Sequence, residues 1–268
     1  MPPAKTNKNA AKKSAKTNII AAKSPARTVA KRPAGKAARK PASAAEVRTR
    51  ELGGDRSPAR VAEILKILDE AYPKAECALT HSSPWELLVA TILSAQCTDV
   101  RVNMVTPVLF QRFPTPAEMA KAELAELEDI IRSTGFFHNK AKSIKGAAEA
   151  ITTRFGGKVP ETLAELITVP GAARKTANVV LGVSFGKAEG VVVDTHVFRI
   201  SHRLDLARGE TPQEVEQELM RIVPKPKWID FSHQIIHHGR QVCVARKPKC
   251  DVCPLEQVCH SKDKTWRS

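Results

Sequence analysis

A lysine near the start of a predicted helix has a position that could support covalent chemistry. The stretch "VPGAARKTANVV", residues 169–180, begins with a Pro-Gly turn and continues as an apolar run, which predicts a turn followed by a helix. Lys175 lies in the first turn, where the partial positive charge of the helix N-terminus disfavours an ammonium ion. A lysine that is neutral part of the time can act as an amine nucleophile. A plain phosphate-binding lysine is the alternative, and this stretch alone does not exclude it.

A carboxylate that could serve this lysine follows in "VVVDTHVFR". Asp194 comes after an apolar run and before a predicted helix, so it is predicted to be a helix N-cap and partly buried. An N-cap role alone is the commoner fate of such a residue. Across a cleft from a lysine, however, a carboxylate can accept a proton or stabilise a developing cation.

Four of the six cysteines lie close together near the end of the sequence, with the spacing C-x6-C-x2-C-x5-C: Cys243, Cys250, Cys253 and Cys259. Four thiolates in one short loop can bind a single metal centre. The spacing favours an iron–sulfur cluster, and a structural zinc ion is the alternative. Cys77 and Cys97 fall outside this set, and Cys97 is predicted to be a small core residue.

Two segments are predicted to bind phosphate. A hairpin at residues 167–177 would point consecutive backbone N–H groups outward beside a helix N-terminus, which binds phosphate without recognising sequence. Between the first two cysteines, Arg246, Lys247 and Lys249 lie on a loop that a metal centre would hold in place. A merely solvated loop is the alternative for these three cations.

The elements that must position these groups are helical. Val61, Ile64, Leu65 and Leu68 follow a helical period after an N-cap at Ser57. Capping boxes are predicted at Ser83–Glu86, Thr115–Glu118 and Thr211–Glu214. Further helices are predicted at 99–112, 122–132, 138–154, 161–167, 174–185, 195–205 and 229–241. Only residues 191–193 resemble a strand, so the fold class is all-α with about ten helices.

The first 50 residues differ in composition from the rest. They hold 14 Lys/Arg and one acid, a net charge of +13, whereas the remaining residues carry a net charge of +2. A segment of Ala, Lys, Pro, Ser and Thr cannot bury enough apolar surface to fold. We expect it to bind polyanions such as DNA without sequence preference, so its deletion should weaken DNA association mainly at low salt. A solubilising or targeting extension is the alternative.

Nothing in the sequence predicts a membrane segment, because no apolar run is long enough to span a bilayer. A secretory signal is also not expected, because no apolar stretch follows the early charges. A bacterial cytoplasm, with the protein associated with the nucleoid, is the default expectation for localisation.

Four motifs in register carry a resemblance to a known family: "LLVATILSAQCTDVRVN", "VPGAARKTANVVLGVSFG", "VVVDTHVFRISHRL" and "HGRQVCVARKPKC" with the cysteines that follow. Together they resemble the endonuclease III family of the helix-hairpin-helix DNA glycosylase superfamily. The match runs from roughly residue 58 to 260, and the basic tail lies outside it.

The resemblance implies a two-domain all-α fold: a six-helix barrel with the helix-hairpin-helix at residues 77–188, and a helical iron–sulfur cluster domain built from residues 57–76 and 189–268. The composition, and not the resemblance, predicts a disordered basic tail at residues 1–56. Lys175 and Asp194 fall on the family's catalytic residues. The four grouped cysteines fall on the ligands of a 4Fe–4S cluster. The DNA-binding positions are Gln96, Phe136, Gly171, Ala173, Arg174, Arg246, Lys247 and Lys249.

The chemistry implied by the family is base excision by a monomer on double-stranded DNA. An oxidised pyrimidine is flipped out, the Lys175 amine attacks the sugar C1′ and a Schiff base forms, and β-elimination cuts the strand 3′ to the abasic site. Gln96 would fill the gap left by the flipped nucleotide, and Phe136 would insert as a wedge. The cluster would be structural. A monofunctional mismatch glycosylase and a non-catalytic iron–sulfur DNA-binding protein are the alternatives.

Two positions depart from the family pattern. Ala173 replaces the second glycine of the hairpin, and if that position needs a positive φ, alanine costs roughly 1 kcal/mol. We therefore predict weaker DNA binding than for an Ala173→Gly variant. Ile167 stands where relatives can carry an acid, so substrate preference could differ. Among the histidines, His233 and His237 are expected to pack or join polar networks, and His196 to shape the cleft.

Overall fold

Helices build the part of the chain that the structure describes, which is residues 56–266 of a computed structural model. No strand occurs among these residues, so the all-α prediction is confirmed. The predicted basic tail lies outside the described residues, except for Arg56. The α-helices are α1 (Pro58–Ala71), α2 (Pro84–Leu93), α3 (Asp99–Arg112), α4 (Pro116–Lys121), α5 (Leu124–Ile131), α6 (Phe137–Arg154), α7 (Leu163–Leu166), α8 (Arg174–Phe185), α9 (Thr195–Arg203), α10 (Pro212–Ile222) and α11 (Trp228–Gln241).

The helix starts follow from capping side chains, as the sequence predicts. Ser57 caps α1, and the capping boxes at Thr115 and Thr211 are both present, each with its reciprocal glutamate. The box predicted at Ser83 is wrong in one half. Ser83 accepts from the Glu86 backbone N–H. The Glu86 carboxylate, however, accepts from the backbone N–H of Ser82, at 2.7 Å, and not from that of Ser83.

Two separate hydrophobic clusters form the interior of one structural unit. The first lies among residues 79–181 and centres on fully buried leucines and isoleucines of α2, α5 and α6, among them Leu87, Leu88 and Ile144. The second joins α1 to α9, α10 and α11 through Leu68, Phe231 and other apolar side chains. The domain boundaries given above stay a prediction, although these clusters divide the chain in the same order.

The segment that leads into Asp194 has no regular secondary structure and joins no sheet. Val191 and Val193 are buried in the second cluster, and the Val192 N–H donates to Ser232 Oγ on α11 at 3.1 Å. A side chain of α11 therefore takes the place of a neighbouring strand. Within residues 56–266, no helix is long and apolar enough to cross a membrane.

Candidate active site and cysteine site

One open cleft contains the two residues predicted to be catalytic. Lys175 of α8 and Asp194 before α9 both line it, together with Gln96, His196 and Arg240. Its volume of about 840 Å³ is within the range of pockets that hold a small organic ligand. The cleft walls come from helices of both hydrophobic clusters, so the folding of both clusters is needed to form it.

Asp194 is the N-cap of α9, as predicted. Its Oδ1 accepts from the backbone N–H groups of His196 and Val197, each at 2.8 Å. Both bonds go to one oxygen, and within residues 56–266 the other, Oδ2, accepts no hydrogen bond from a protein group. The half-buried carboxylate is thus oriented by the helix while one oxygen stays available to the cleft.

Lys175 is the second residue of α8, directly after the turn, and it is exposed. The N-cap of α8 is Ala173, whose methyl group makes no side-chain cap. The first N–H groups of α8 therefore have no capping oxygen from this residue and can donate to an external anion. The same helix end thus offers an amine and a phosphate-binding group.

Two predicted features of the hairpin have different outcomes. Gly171 has φ +79°, a backbone conformation that favours glycine, and a Cβ there would also lie 2.9 Å from the Ser143 Cβ. Both the backbone conformation and the lack of space therefore require glycine. The condition under which Ala173 would be strained, a positive φ, is not met. Its φ of −63° and ψ of 164° are extended values that alanine adopts freely, because the turn finishes before this residue.

Arg174, predicted to contact DNA, has a partner within the protein. Its guanidinium forms a fork on the carboxylate of Glu216 in α10, with Nε–Oε1, Nε–Oε2 and Nη2–Oε1 distances of 3.1, 3.0 and 3.0 Å. DNA contact by Arg174 stays a prediction. Sequence reasoning missed Glu216, since nothing local marks a glutamate 42 residues away as its partner.

Gln96 and Phe136, the predicted gap-filling and wedge residues, share an unusual backbone. Both are exposed and both have left-handed φ values, 53° for Gln96 and 49° for Phe136. Non-glycine residues take this conformation at a cost and are concentrated at functional sites. Each side chain is therefore presented outward by a strained turn, at the end of α2 and at the start of α6.

Two histidines, His196 and His233, line the cleft. Burial lowers the pKa of His196 below its usual range, and Arg199 Nη2 lies 3.3 Å from its Nδ1. Burial likewise lowers the pKa of His233. His237 Nε2 lies 3.3 Å from the Glu76 carbonyl oxygen. Sequence reasoning missed Arg240, which pairs with Asp99 at 2.5 Å and connects α11 to the start of α3.

All four grouped cysteines line a single, largely apolar pocket beneath α9 and α11. Burial, together with the neighbouring thiols, raises the pKa of Cys253 to about 11. Four soft donors that line one pocket are suited to a metal centre that neutralises them as thiolates. Arg203 Nη1 lies 3.3 Å from Cys243 Sγ, and His238 Nε2 lies 3.7 Å from Cys253 Sγ. These residues fit an iron–sulfur cluster with hydrogen bonds to its sulfur ligands.

The basic loop 244–249 is held by protein contacts as well. Arg203 donates to the carbonyl oxygens of Val244 and Ala245 at 2.9 and 3.1 Å. Thr265 Oγ1 donates to the Pro248 carbonyl oxygen at 2.6 Å. Arg246, Lys247 and Lys249 are all exposed on this fixed loop. Sequence reasoning missed Arg203 and Thr265, because their partners are backbone carbonyls distant in sequence.

Two family models match the segments of the chain that contain these two sites. A sequence model of the HhH-GPD superfamily of base excision DNA repair proteins matches residues 89–225. A second one, for the iron–sulfur binding domain of endonuclease III, matches residues 243–259, whose first and last residues are Cys243 and Cys259. The predicted 4Fe–4S cofactor is confirmed by this match and by the relatives.

The match with individual relatives covers most of their length. Endonuclease III of Synechocystis sp. is 54% identical over 202 residues, 75% of this chain and 92% of that protein. Endonuclease III of Escherichia coli (strain K12) is 41% identical over 75% of this chain and 95% of its own. A solved structure of a trapped endonuclease III–DNA covalent intermediate has a TM-score of 0.73 and 42% identity, covering 76% of this chain and 96% of that one. This chain therefore belongs to the endonuclease III family of the HhH-GPD superfamily.

Proposed function

We propose that this chain is a bifunctional DNA glycosylase and AP lyase that removes oxidised pyrimidines from double-stranded DNA in base excision repair. The observation that carries the proposal is that Lys175 and Asp194 line one cleft large enough for a flipped nucleotide. The family membership agrees with the proposal, and one similar solved structure is that of a trapped endonuclease III–DNA covalent intermediate.

Lys175 is the nucleophile. Its neutral amine attacks C1′ of the flipped nucleotide, the C1′–N bond breaks, and the base leaves with the electron pair and a proton. The lysine nitrogen then loses a proton and the C1′–O4′ bond of the sugar ring breaks, with O4′ taking up a proton. The resulting C1′=N Schiff base makes the C2′ proton acidic. Loss of that proton breaks the C3′–O bond and cuts the strand on the 3′ side, and water releases the lysine.

Asp194 assists at two points. Its Oδ1 is fixed by the α9 N–H groups, and Oδ2 accepts the proton that the lysine ammonium must lose before it attacks. As the base leaves, the same carboxylate stabilises the positive charge that develops on the sugar. The N-cap bonds keep the carboxylate in place throughout, so no reorganisation is needed.

DNA is held by the backbone and by outward-pointing side chains. The hairpin at Gly171 and the start of α8 donate N–H groups to one phosphate. Gln96 and Phe136 enter the duplex beside the flipped nucleotide. The exposed cations of the 244–249 loop bind a second stretch of backbone.

The 4Fe–4S cluster has a structural role in this proposal. When bound through Cys243, Cys250, Cys253 and Cys259, it supplies a cross-link rather than a reacting group. Arg203 then holds the basic loop against α9. The protein acts as a monomer, and we place it in a bacterial cytoplasm with chromosomal DNA as its partner.

The test is borohydride trapping on duplex DNA that carries an oxidised pyrimidine. The wild-type chain should form a covalent adduct, and Lys175→Ala should form none. Lys187→Ala is the matched control, because Lys187 follows the opposite end of α8 and pairs with Glu161. Base release without an adduct would instead indicate a monofunctional glycosylase, and DNA binding without either product would indicate a non-catalytic protein.

A further inference from the structure

A buried carboxylate binds the residue that precedes the proposed nucleophile in the chain. The Glu216 side chain is only 8% exposed, and besides the fork from Arg174 it accepts from Asn178 Nδ2 at 3.0 Å. Arg174 and Asn178 lie on the same face of α8, one turn apart. Lys175 is bonded to Arg174 through the backbone, so the carboxylate holds the residue next to the amine.

The same carboxylate also touches the segment that leads to Asp194. A Cβ at Gly190 would collide with Glu216 Oε1 and would lie 2.6 Å from Asn178 Nδ2. Only glycine lets the backbone pass this close to the polar group. Four residues later the chain reaches Asp194. Glu216 therefore contacts both segments that carry the proposed catalytic groups, from a third element, α10.

We propose that Glu216 is a positioning residue that fixes the Lys175 end of α8 relative to the segment of Asp194. This inference rests on the roles proposed for those two residues. A guanidinium fork on a buried carboxylate restricts both distance and orientation, which a single charge does not.

The apolar packing of α8 does not already provide this function. Ala177, Val180 and Leu181 are fully buried and hold the middle of the helix in the first cluster. The N-terminal turn has no side-chain cap at Ala173. Glu216, through Arg174 and Asn178, is what links this turn to the second cluster. Small displacements of a reacting group are costly, since about 1 Å can lower a rate about 100-fold.

The decisive variant is Glu216→Gln, which keeps the shape but gives Arg174 one acceptor oxygen instead of two. Strand cleavage is measured under single turnover, with saturating enzyme and abasic-site duplex. We expect the rate to fall about 10- to 100-fold. The Kd for a duplex with an uncleavable abasic analogue should change by less than about threefold, because the DNA-contacting groups are intact.

A matched control is Asp69→Asn. Asp69 on α1 also binds a cation and an amide of another segment, Lys227 at 2.9 Å and Gln234 at 3.0 Å. It does not line the cleft. Its loss should leave the saturated rate at the wild-type value, since its carboxylate holds no catalytic segment. A second variant, Arg174→Lys, keeps a cation without the fork, and we expect an intermediate rate.

The outcomes separate this inference from the proposed function. An adduct that persists in Lys175→Ala would contradict the function itself. A wild-type saturated rate in Glu216→Gln, or an equal loss in Asp69→Asn, would overturn the positioning role alone. If Glu216→Gln does not fold, Arg174→Lys decides, and a wild-type rate in that folded variant overturns the role. Weaker DNA binding with an unchanged saturated rate in Arg174→Lys would identify Arg174 as a DNA contact instead.

Discussion

The cleft and the cysteine site differ in how their polar groups are used. Around the cysteines, charged side chains pair with one another: Arg203 with Asp263 at 2.7 Å, and Lys264 with Glu256 at 2.8 Å. At the mouth of the cleft, Lys175 and Gln96 are exposed and point away from the interior. The cysteine site is thus built to hold the chain together, and the cleft to receive a partner.

Backbone strain distinguishes the surfaces that are predicted to face DNA. Among the residues that the structure describes, four non-glycine residues have positive φ: Gln96, Phe136, Asp205 and Lys247. Three of these four belong to the predicted DNA-binding set. Strain persists only where the surrounding structure compensates for it, and it is concentrated at functional sites. The contrast between the cysteine site and the cleft predicts that damage to the cysteine site lowers stability, whereas damage to the cleft lowers activity.

The largest expected effect on stability is that of removing a cluster ligand. Cys253→Ser should lose the visible absorbance of the cluster and lower the free energy of unfolding by several kcal/mol, because binding a metal centre is coupled to folding. Absorbance and thermal unfolding measure both effects. Cys97→Ser, outside the set, should keep the cluster. An unchanged Tm in Cys253→Ser would remove the contrast between the two sites.

Asp194 allows its capping role and its chemical role to be separated. Asn is as good an N-cap as Asp, so Asp194→Asn should keep the wild-type Tm while strand cleavage slows about 100- to 1,000-fold. Asp194→Ala should show the same loss of rate and also lower the free energy of unfolding by about 1 kcal/mol. Cleavage at the wild-type rate by Asp194→Asn would show that the residue is a cap only.

The segment after the last cysteine should matter for stability alone. Lys264 and Glu256 are 11% and 8% exposed, so Lys264→Met removes one partner from a buried carboxylate, at a cost of about 3 kcal/mol. Lys262→Met, at an exposed neighbour, should cost less than about 0.5 kcal/mol. Chemical denaturation of the two variants gives the difference. Equal stabilities would mean that the ion pair does not hold this segment.

The smallest expected effect is at the hairpin. Because Ala173 is already extended, Ala173→Gly relieves no strain, and it should lower the free energy of unfolding by about 0.5 kcal/mol through the more flexible unfolded chain. The prediction of tighter DNA binding for this variant rests only on removing a methyl group beside the N–H groups that are proposed to bind phosphate. A gain in stability would mean that the residue is strained after all.

Local chemistry explains which parts of the fold could be predicted from sequence. The bounds of α8, residues 174–185, and the cap at Asp194 depend on neighbours within one or two turns, so the pattern determines them. The pairing of Arg174 with Glu216 and of Arg203 with the basic loop depends on how distant helices pack. No local signal specifies those contacts. The φ of Ala173 likewise depends on the turn around Gly171 and not on the residue type, so the sequence alone could not determine it.

The central claim is that the amine of Lys175 forms the covalent bond to DNA, and identifying the modified residue tests it most directly. The adduct is reduced with borohydride, digested with nuclease and trypsin, and examined by mass spectrometry. The account predicts the sugar remnant on Lys175, within the peptide of residues 175–187. A remnant on any other lysine, or on the N-terminal amine, would contradict it.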